Sequence, residues 1–209
     1  MSLTFGITGS IACGKSTVTK YIREMGIPIV DADVIAREVV IPGSHGWLLV
    51  ATYFGLEFIN RDDNDTLDRA KIGKRVFSNK KDLDFLNQTL GPLIKEESKR
   101  QIKCQHDLGH ELVGYDAALI IENGNAKKYK PLIVVSAPFE TQLARLMSRN
   151  DLTEEEAKNR ISKQLSSEEK VKHADFVIET TGTLEELKTK THSIIESIKK
   201  ELNEKGLLK

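Results

Sequence analysis

The sequence has little of what marks an exported, disulfide-bonded or membrane-embedded protein. It contains two cysteines in 209 residues, Cys13 and Cys104. Their spacing forms neither a disulfide framework nor a Cys-x-x-Cys metal or redox motif. No stretch approaches the ~20 apolar residues that a membrane-spanning helix needs, and the opening MSLTFGIT has no basic leader. We therefore expect a cytoplasmic protein that does not bind a membrane.

Net charge is also absent. Lysine plus arginine number 31 and aspartate plus glutamate number 31, so no overall field favours nucleic acid or an anionic membrane as a partner. Hydrophobic residues make up 39% and charged residues 30% of the chain, which is typical of a globular protein. The chain is long enough to bury a core, and we expect one domain with an appended lobe.

Short apolar runs alternate with longer amphipathic stretches, which is typical of a parallel sheet covered on both faces by helices. The apolar runs predict five strands: Leu3 to Thr8, Ile27 to Val30, Asp116 to Ile121, Leu132 to Ser136 and Phe176 to Glu179. Capping boxes predict three helix starts: Thr153 with Glu156, Ser166 with Glu169 and Thr183 with Glu186. A helix after Ser78 should run toward Leu90, and Pro92 should open the next one.

A glycine-rich stretch follows the first predicted strand directly. It reads GSIACGKST, residues 9–17, and matches the phosphate-binding loop Gly-x-x-x-x-Gly-Lys-Ser residue for residue. Glycines let the backbone curl until successive N–H groups point at phosphate oxygens. Lys15 brings positive charge to the terminal phosphates, and Ser16 offers its hydroxyl to Mg²⁺. The stretch therefore predicts a nucleoside triphosphate site formed by Gly9, Ala12, Cys13, Gly14, Lys15, Ser16 and Thr17.

Two aspartates end the second predicted strand, in the stretch IPIVDADVIAREV. Open α/β sheets bind ligands at the carboxyl ends of their strands. A carboxylate there can accept the proton of a hydroxyl that attacks the γ-phosphate, or hold water around a metal. The alternative is a helix cap, because aspartate is a good N-cap before VIAREV. We favour the base for Asp33 and a structural role for Asp31.

Two further residues have open roles. Glu122, at the end of the third predicted strand, could orient a metal-bound water or pair with an arginine. Cys13 could be a reactive thiol, because backbone N–H groups and Lys15 lower a thiol pKa. The simpler interpretation is that Cys13 is a small filler.

The phosphate loop and the aspartate motif together resemble one family. FGITGSIACGKST followed by GIPIVDADVIAREVV is similar to the dephospho-CoA kinases, which phosphorylate the ribose 3′-hydroxyl of dephospho-CoA with ATP. TLDRAKIGKRVFSN, LNQTLGPLI, DAALIIEN, RNDLTEEEAKNRISKQLSSEEKVKHADFVIE and GTLEEL follow in the family's order and cover almost the whole chain. The resemblance implies the final step of coenzyme A biosynthesis. It also implies ATP and Mg²⁺ as cofactors, dephospho-CoA as the partner, and a monomer.

The resemblance implies a P-loop α/β/α fold, a three-layer parallel sheet with a helical substrate lobe and a lid. The nucleotide-binding core would cover about 1–58, 112–140 and 173–209, the substrate lobe about 60–110 and the mobile lid about 141–172. Asp33 would be the general base, Lys15 the phosphate clamp, and Arg145 or Arg149 a lid arginine that neutralises transition-state charge. We assign the catalytic role to Arg149 and nucleotide binding to Arg145. The implied substrate-binding residues are Asp33, Arg37, Pro92, Leu119 and Glu122, and Ser16 is the metal residue.

The sequence departs from the family pattern at four positions. Gly91 stands where the family usually has a histidine, Ala118 replaces a usual proline, and Ala12 and Cys13 replace a commoner glycine and serine. We expect the loop changes to be tolerated and the missing imidazole at position 91 to weaken substrate handling without abolishing the chemistry. Two alternatives stay open: a kinase for another nucleoside or nucleotide, and a nucleotide-binding regulator that has lost phosphoryl transfer.

Overall fold

The computed structural model describes residues 2–204 and Gly206 and divides the chain into two compact units. The first unit comprises Met1–Val30 with Ile102–Lys209, and the second comprises Asp31–Gln101. The second unit starts well before the helical lobe expected at about 60–110. No helix in the described part of the chain is long and apolar enough to cross a membrane.

Strands and helices alternate along much of the described chain. The strands are β1 (Leu3–Gly9), β2 (Ile29–Asp31), β3 (Ile59–Asn60), β4 (Thr66–Leu67), β5 (Leu112–Asp116), β6 (Leu132–Ser136) and β7 (Phe176–Glu179). The helices are α1 (Lys15–Glu24), α2 (Ala32–Glu38), α3 (His45–Phe54), α4 (Arg69–Ser78), α5 (Lys80–Asp107), α6 (Phe139–Asn150), α7 (Glu154–Ile161), α8 (Ser167–Val171) and α9 (Leu184–Glu204).

A five-stranded sheet in the order β2-β5-β1-β6-β7 forms the centre of the first unit. β1 pairs in parallel with β5 and with β6, and β6 pairs in parallel with β7. Ile7 lies opposite Asp116, and Gly9 lies opposite Val135. The register therefore brings the carboxyl ends of β1, β5 and β6 to one edge of the sheet.

Both faces of this sheet are buried. In β6, Ile133 and Val135 belong to a cluster with residues of α1 and α9. Their neighbours Leu132 and Val134 belong to a second cluster, which includes Val171 of α8. Successive strand residues point to opposite faces, so helices cover both sides of the sheet. The predicted three-layer α/β/α class is confirmed.

The second unit has its own apolar cluster. Phe54 of α3, Phe58, Leu67 of β4 and Ile72 of α4 are buried together, next to the antiparallel pair of β3 and β4. Trp47, the single tryptophan of the chain, packs against the same cluster, and its indole N–H donates to the Asp65 carbonyl at 2.8 Å. Helix α3 therefore belongs to this unit, which explains why the unit begins before residue 60.

Four predicted strands are found within one or two residues of their expected bounds, and the third is not. It was expected at Asp116 to Ile121, but β5 ends at Asp116 and turns follow. Ile120 and Ile121 belong to the apolar run but lie beyond the strand. They are buried in the cluster next to β6. Glu122 therefore does not end a strand.

The helix prediction around Pro92 was also wrong. Pro92 lies inside α5, a single helix of 28 residues. Proline cannot donate a hydrogen bond to the carbonyl four residues earlier, yet the helix continues through this position. The predicted helix starts after Thr153, Ser166 and Thr183 are confirmed, because each hydroxyl accepts the N–H three residues later.

Gly91 provides a test of the fold. Its position in α5 leaves open space around an added Cβ, and glycine inside a helix costs about 0.5–1 kcal/mol relative to alanine. We expect Gly91→Ala to raise the free energy of unfolding by about that amount, measured by urea denaturation. Gly43→Ala in the same unit is the control. Gly43 has equally open space but a φ of 82°, so alanine there should lower stability.

Candidate active site

The phosphate loop joins β1 to α1 in a tightly curled path. Ala12 has φ 58° and Gly14 has φ 89°, both left-handed, and α1 begins at the next residue, Lys15. A left-handed alanine costs roughly 1–2 kcal/mol, so the loop holds Ala12 in a conformation that glycine adopts freely. Backbone curled in this way, at a helix N-terminus, forms a concave anion site lined by N–H groups.

Both glycines of the motif are required by their surroundings. A Cβ on Gly9 would lie 2.5 Å from the Val135 carbonyl oxygen and 2.6 Å from Cys13 Sγ. A Cβ on Gly14 would combine a left-handed backbone with an approach of 3.3 Å to the Thr180 side chain. Side chains at these positions would therefore displace either the sheet or the residue that follows β7.

Lys15 forms an ion pair with Asp116. Its Nζ contacts Asp116 Oδ1, and the Asp116 side chain is 2% exposed. Asp116 ends β5, and β5 pairs with β1, so the sheet places this carboxylate beside the phosphate loop. A buried carboxylate needs a compensating charge, and Lys15 provides one. The pair in turn holds the lysine at the loop.

Arg145 reaches the phosphate loop through one intermediate residue. It donates to Thr180 Oγ1 at 2.9 Å and to the Thr180 carbonyl at 2.7 Å, and Thr180 Oγ1 donates to the Cys13 carbonyl at 2.7 Å. These hydrogen bonds connect α6 and the residue after β7 to the loop. Arg149, one turn further along α6, is exposed and donates to Asn150 Oδ1 at 3.0 Å.

Cys13 is 1% exposed. Burial raises the pKa of its thiol, and a hydrogen bond involving the Lys15 backbone and the charges of Lys15 and Lys170 oppose that effect without reversing it. The structure therefore favours the interpretation of Cys13 as a filler over that of a reactive thiol.

Glu122 pairs with a lysine rather than an arginine. Its Oε1 lies 2.9 Å from Lys170 Nζ and accepts the Leu165 N–H at 3.1 Å. Leu119, in the same set of turns after β5, has an exposed side chain. Among the described residues, no group of three or more histidine, cysteine, aspartate and glutamate side chains could hold a metal ion.

In the second unit, Asp31 and Asp33 have different surroundings. Asp31 Oδ1 accepts the N–H groups of Asp33 and Val34 at 2.8 and 3.1 Å, so Asp31 is the N-cap of α2. The structural role favoured for Asp31 is therefore confirmed. The exposed Asp33 lies in the first turn of α2, with Arg37 one turn later.

Arg69, at the start of α4, lies within electrostatic range of Arg37 and Asp33. Partial burial is the main cause that lowers its pKa, the charge of Arg37 lowers it further, and the charge of Asp33 opposes both. Two guanidinium groups and one carboxylate are therefore neighbours in the second unit. The other substrate-side prediction in this unit, Pro92, lies exposed on α5.

Comparisons with known proteins show the family of the chain. The family model described as dephospho-CoA kinase matches residues 3–186. The dephospho-CoA kinase of Listeria monocytogenes serovar 1/2a is 43% identical over 196 residues, covering 94% of this chain and 97% of the relative. The chain belongs to the dephospho-CoA kinase family.

Two solved kinase structures have a fold similar to that of this chain. The dephospho-CoA kinase from Campylobacter jejuni superposes with a TM-score of 0.71 at 29% identity, covering 96% of this chain and 98% of the other. A shikimate kinase from Acinetobacter baumannii has a TM-score of 0.51 at 15% identity, covering 96% and 95% of the two chains. The second likeness is one of fold alone.

Two charged residues that lie beside the predicted ones, Asp116 and Arg69, were not predicted from the sequence. Asp116 was placed at the start of a strand rather than at its end, so its contact with Lys15 was not foreseen. The run LVGYD, apolar residues followed by an aspartate, was the signal that could have found it. Arg69 stands in TLDRAKIGKRVFSN, one of the stretches that resemble the family, and that stretch was the signal that could have found it.

The two cysteines should differ sharply in reactivity. Cys104 is exposed and Cys13 is buried, and burial raises the pKa of the Cys13 thiol. Because the thiolate is the reacting form, we expect iodoacetamide at pH 7.5 to label Cys104 at least tenfold faster than Cys13. Peptide mass spectrometry of timed samples measures both rates, with urea-unfolded protein as the control. Equal rates in the folded protein would contradict the buried position of Cys13.

Proposed function

We propose that Lys15, Asp33 and Arg149 carry the chemistry of this dephospho-CoA kinase, which phosphorylates dephospho-CoA with ATP in coenzyme A biosynthesis. The acceptor atom is the ribose 3′-hydroxyl, and the protein acts as a monomer. The observation that carries the proposal is the curled phosphate loop with Lys15 at its end, in a chain matched by its family model from residue 3 to residue 186.

The triphosphate of ATP would occupy the concave side of the loop formed by residues 9–17. The left-handed backbone at Ala12 and Gly14, which curls the loop at the N-terminus of α1, supports this assignment. Lys15 would contact the terminal phosphates, while Arg145, held by Thr180, would lie near the nucleotide.

The Ser16 hydroxyl would hold Mg²⁺ together with phosphate oxygens. Mg²⁺ in such sites keeps several waters and takes few protein ligands. Such a site needs no cluster of acidic side chains, and the described residues form no group of three or more metal-ligating side chains. When bound, Mg²⁺ supplies charge neutralisation for the phosphates.

The acceptor hydroxyl would transfer its proton to Asp33. This carboxylate suits the role because Asp31, rather than Asp33, caps α2. Arg37 and Arg69 offer positive charge for the anionic substrate, and Pro92 and Leu119 offer exposed apolar surface.

Arg149 would stabilise the charge that spreads over the transferred phosphoryl group. Its exposed position on α6 leaves the guanidinium accessible. A lid role for residues 141–172 remains part of this proposal. Glu122, which pairs with Lys170, also stays among the proposed substrate-binding residues.

Replacing the proposed base tests the function and the assignment together. We expect Asp33→Asn to lower kcat about 10²–10⁴-fold, the contribution typical of a general base, with the Kd for ATP nearly unchanged. The measurement is ATP-dependent formation of coenzyme A from dephospho-CoA, with adenosine and AMP as alternative acceptors.

Asp31→Asn is the matched control, because asparagine also caps helices well, and it should retain most of the turnover. An Asp33→Asn enzyme as active as the control would rule out the base assignment. Wild-type protein that binds ATP and phosphorylates no acceptor would favour the regulator alternative.

Gly91 tests whether the missing family histidine limits this enzyme. The open space around position 91 can accept a larger side chain. We expect Gly91→His to raise kcat/KM for dephospho-CoA several-fold. Gly91→Ala is the control, because alanine raises the helix propensity at least as much as histidine does but adds no imidazole. Equal kcat/KM in the two variants would show that the histidine has no role here.

A further inference from the structure

A fully buried lysine lies in α8. The Lys170 side chain is 0% exposed, and its Nζ lies 2.9 Å from Glu122 Oε1 and donates to the Ala118 carbonyl at 2.6 Å. A buried ammonium needs close acceptors, because removing it from water without them is costly. Since Nζ has no exposed surface, Lys170 is not suited to touch a substrate. Its effect is to fix the turns after β5 against α8.

Glu122 extends this constraint to the segment that precedes α8. The oxygen that pairs with Lys170 also accepts the backbone N–H of Leu165 at 3.1 Å. Hydrogen bonds to an ionised carboxylate are stronger than those between neutral groups. The position of the Leu165 backbone therefore depends on where Lys170 holds Glu122.

The Gln164–Leu165 segment contacts the phosphate loop at two points. Gln164 Oε1 accepts the Ile11 N–H at 2.8 Å, and the Leu165 carbonyl accepts the Ser10 hydroxyl at 3.0 Å. Ser10 and Ile11 are the first two residues of the loop after Gly9. The contact with Gln164 fixes the direction of one backbone N–H in a loop whose N–H directions determine how it binds phosphate.

The strand before the loop is connected to the same network. Thr8 Oγ1 donates to the Ala118 carbonyl at 3.0 Å, the same carbonyl that accepts from Lys170. The start of the phosphate loop is thus held from β1 on one side and from the Gln164–Leu165 segment on the other. Lys170 contacts the partner of each support, the Ala118 carbonyl that accepts from Thr8 and the Glu122 carboxylate that accepts from Leu165.

We propose that Lys170 and Gln164 are positioning residues that hold the phosphate loop in its nucleotide-binding form. Lys170 acts through Glu122 and Leu165, and Gln164 acts directly on the Ile11 N–H. The inference rests on the proposed ATP site and adds residues distant from the loop in sequence. It predicts that both residues control ATP affinity without controlling acceptor affinity.

The test compares Lys170→Met, Gln164→Ala and the double variant. We expect each single change to raise the KM and the Kd for ATP about 5–10-fold, the effect of one lost hydrogen bond. The KM for dephospho-CoA should stay within about twofold of the wild-type value. Because both residues act through one segment, the two effects should not add. The double variant should have a Kd for ATP close to that of the single variant that binds ATP less tightly. In ligand-free protein, NMR should show faster exchange of the Ile11 amide proton.

Lys172→Met is the matched control. Lys172 lies just beyond the end of α8, but its side chain is 65% exposed and pairs with Glu169. This change should leave both KM values and the Ile11 exchange rate unaltered. If Lys170→Met does not fold, Lys170→Met combined with Glu122→Gln removes both charges of the buried pair and takes its place in the comparison.

Three results would overturn the proposal: an unchanged KM for ATP in Gln164→Ala, equal rises in the KM of both substrates, or additive effects in the double variant. Failure of the proposed function looks different, because it appears as wild-type protein that does not phosphorylate dephospho-CoA. In that case the Kd for ATP and the Ile11 exchange rate still decide the role of the two residues.

Discussion

Parallel pairing of β1 with β5 and β6 is the constraint on which the candidate site in the first unit depends. In this register the strands end at one edge of the sheet, so the loop after β1 and the aspartate that ends β5 become neighbours. Thr180, directly after β7, meets the loop at the same edge. A slip of one residue would turn each side chain to the opposite face. The Lys15–Asp116 pair would then be lost, although both residues would remain in the sequence.

The phosphate loop combines local strain with support from distant segments. Left-handed Ala12 is unfavourable alone, and the loop backbone must leave its N–H groups available for a ligand. Such conformations persist where the surrounding structure fixes them. Here the support comes from Thr180, which holds the Cys13 carbonyl, and from Gln164, which holds the Ile11 N–H. The loop is therefore shaped before any nucleotide arrives, and binding need not supply the cost of ordering it.

Local patterns were sufficient to predict much of the fold. The phosphate-loop motif, the apolar runs of the strands at both ends of the sheet and the hydroxyl caps of the later helices are patterns within a few residues, which a sequence displays directly. The errors arose where tertiary packing decided the structure. Ile120 and Ile121 continue an apolar run but fill a cluster beside β6, and Pro92 lies inside a helix that extends on both sides of it.

The candidate site could be predicted only in part for the same reason. Lys15 and Asp33 stand in motifs whose spacing indicates their chemistry. Other residues contribute to the site through partners that lie far away in sequence: Asp116, Lys170 and Arg69. The spacing of residues along the chain does not show which distant residues come into contact.

The position of Trp47 has a practical consequence for observing the molecule. The indole lies against the apolar cluster of the second unit, while the four tyrosines include Tyr21, Tyr115 and Tyr129 in the first. Excitation at a wavelength that tryptophan alone absorbs therefore gives an emission signal from the second unit only. Circular dichroism in the far ultraviolet averages over the helices of both. Comparing the two signals during denaturation would show whether the units melt together or in sequence.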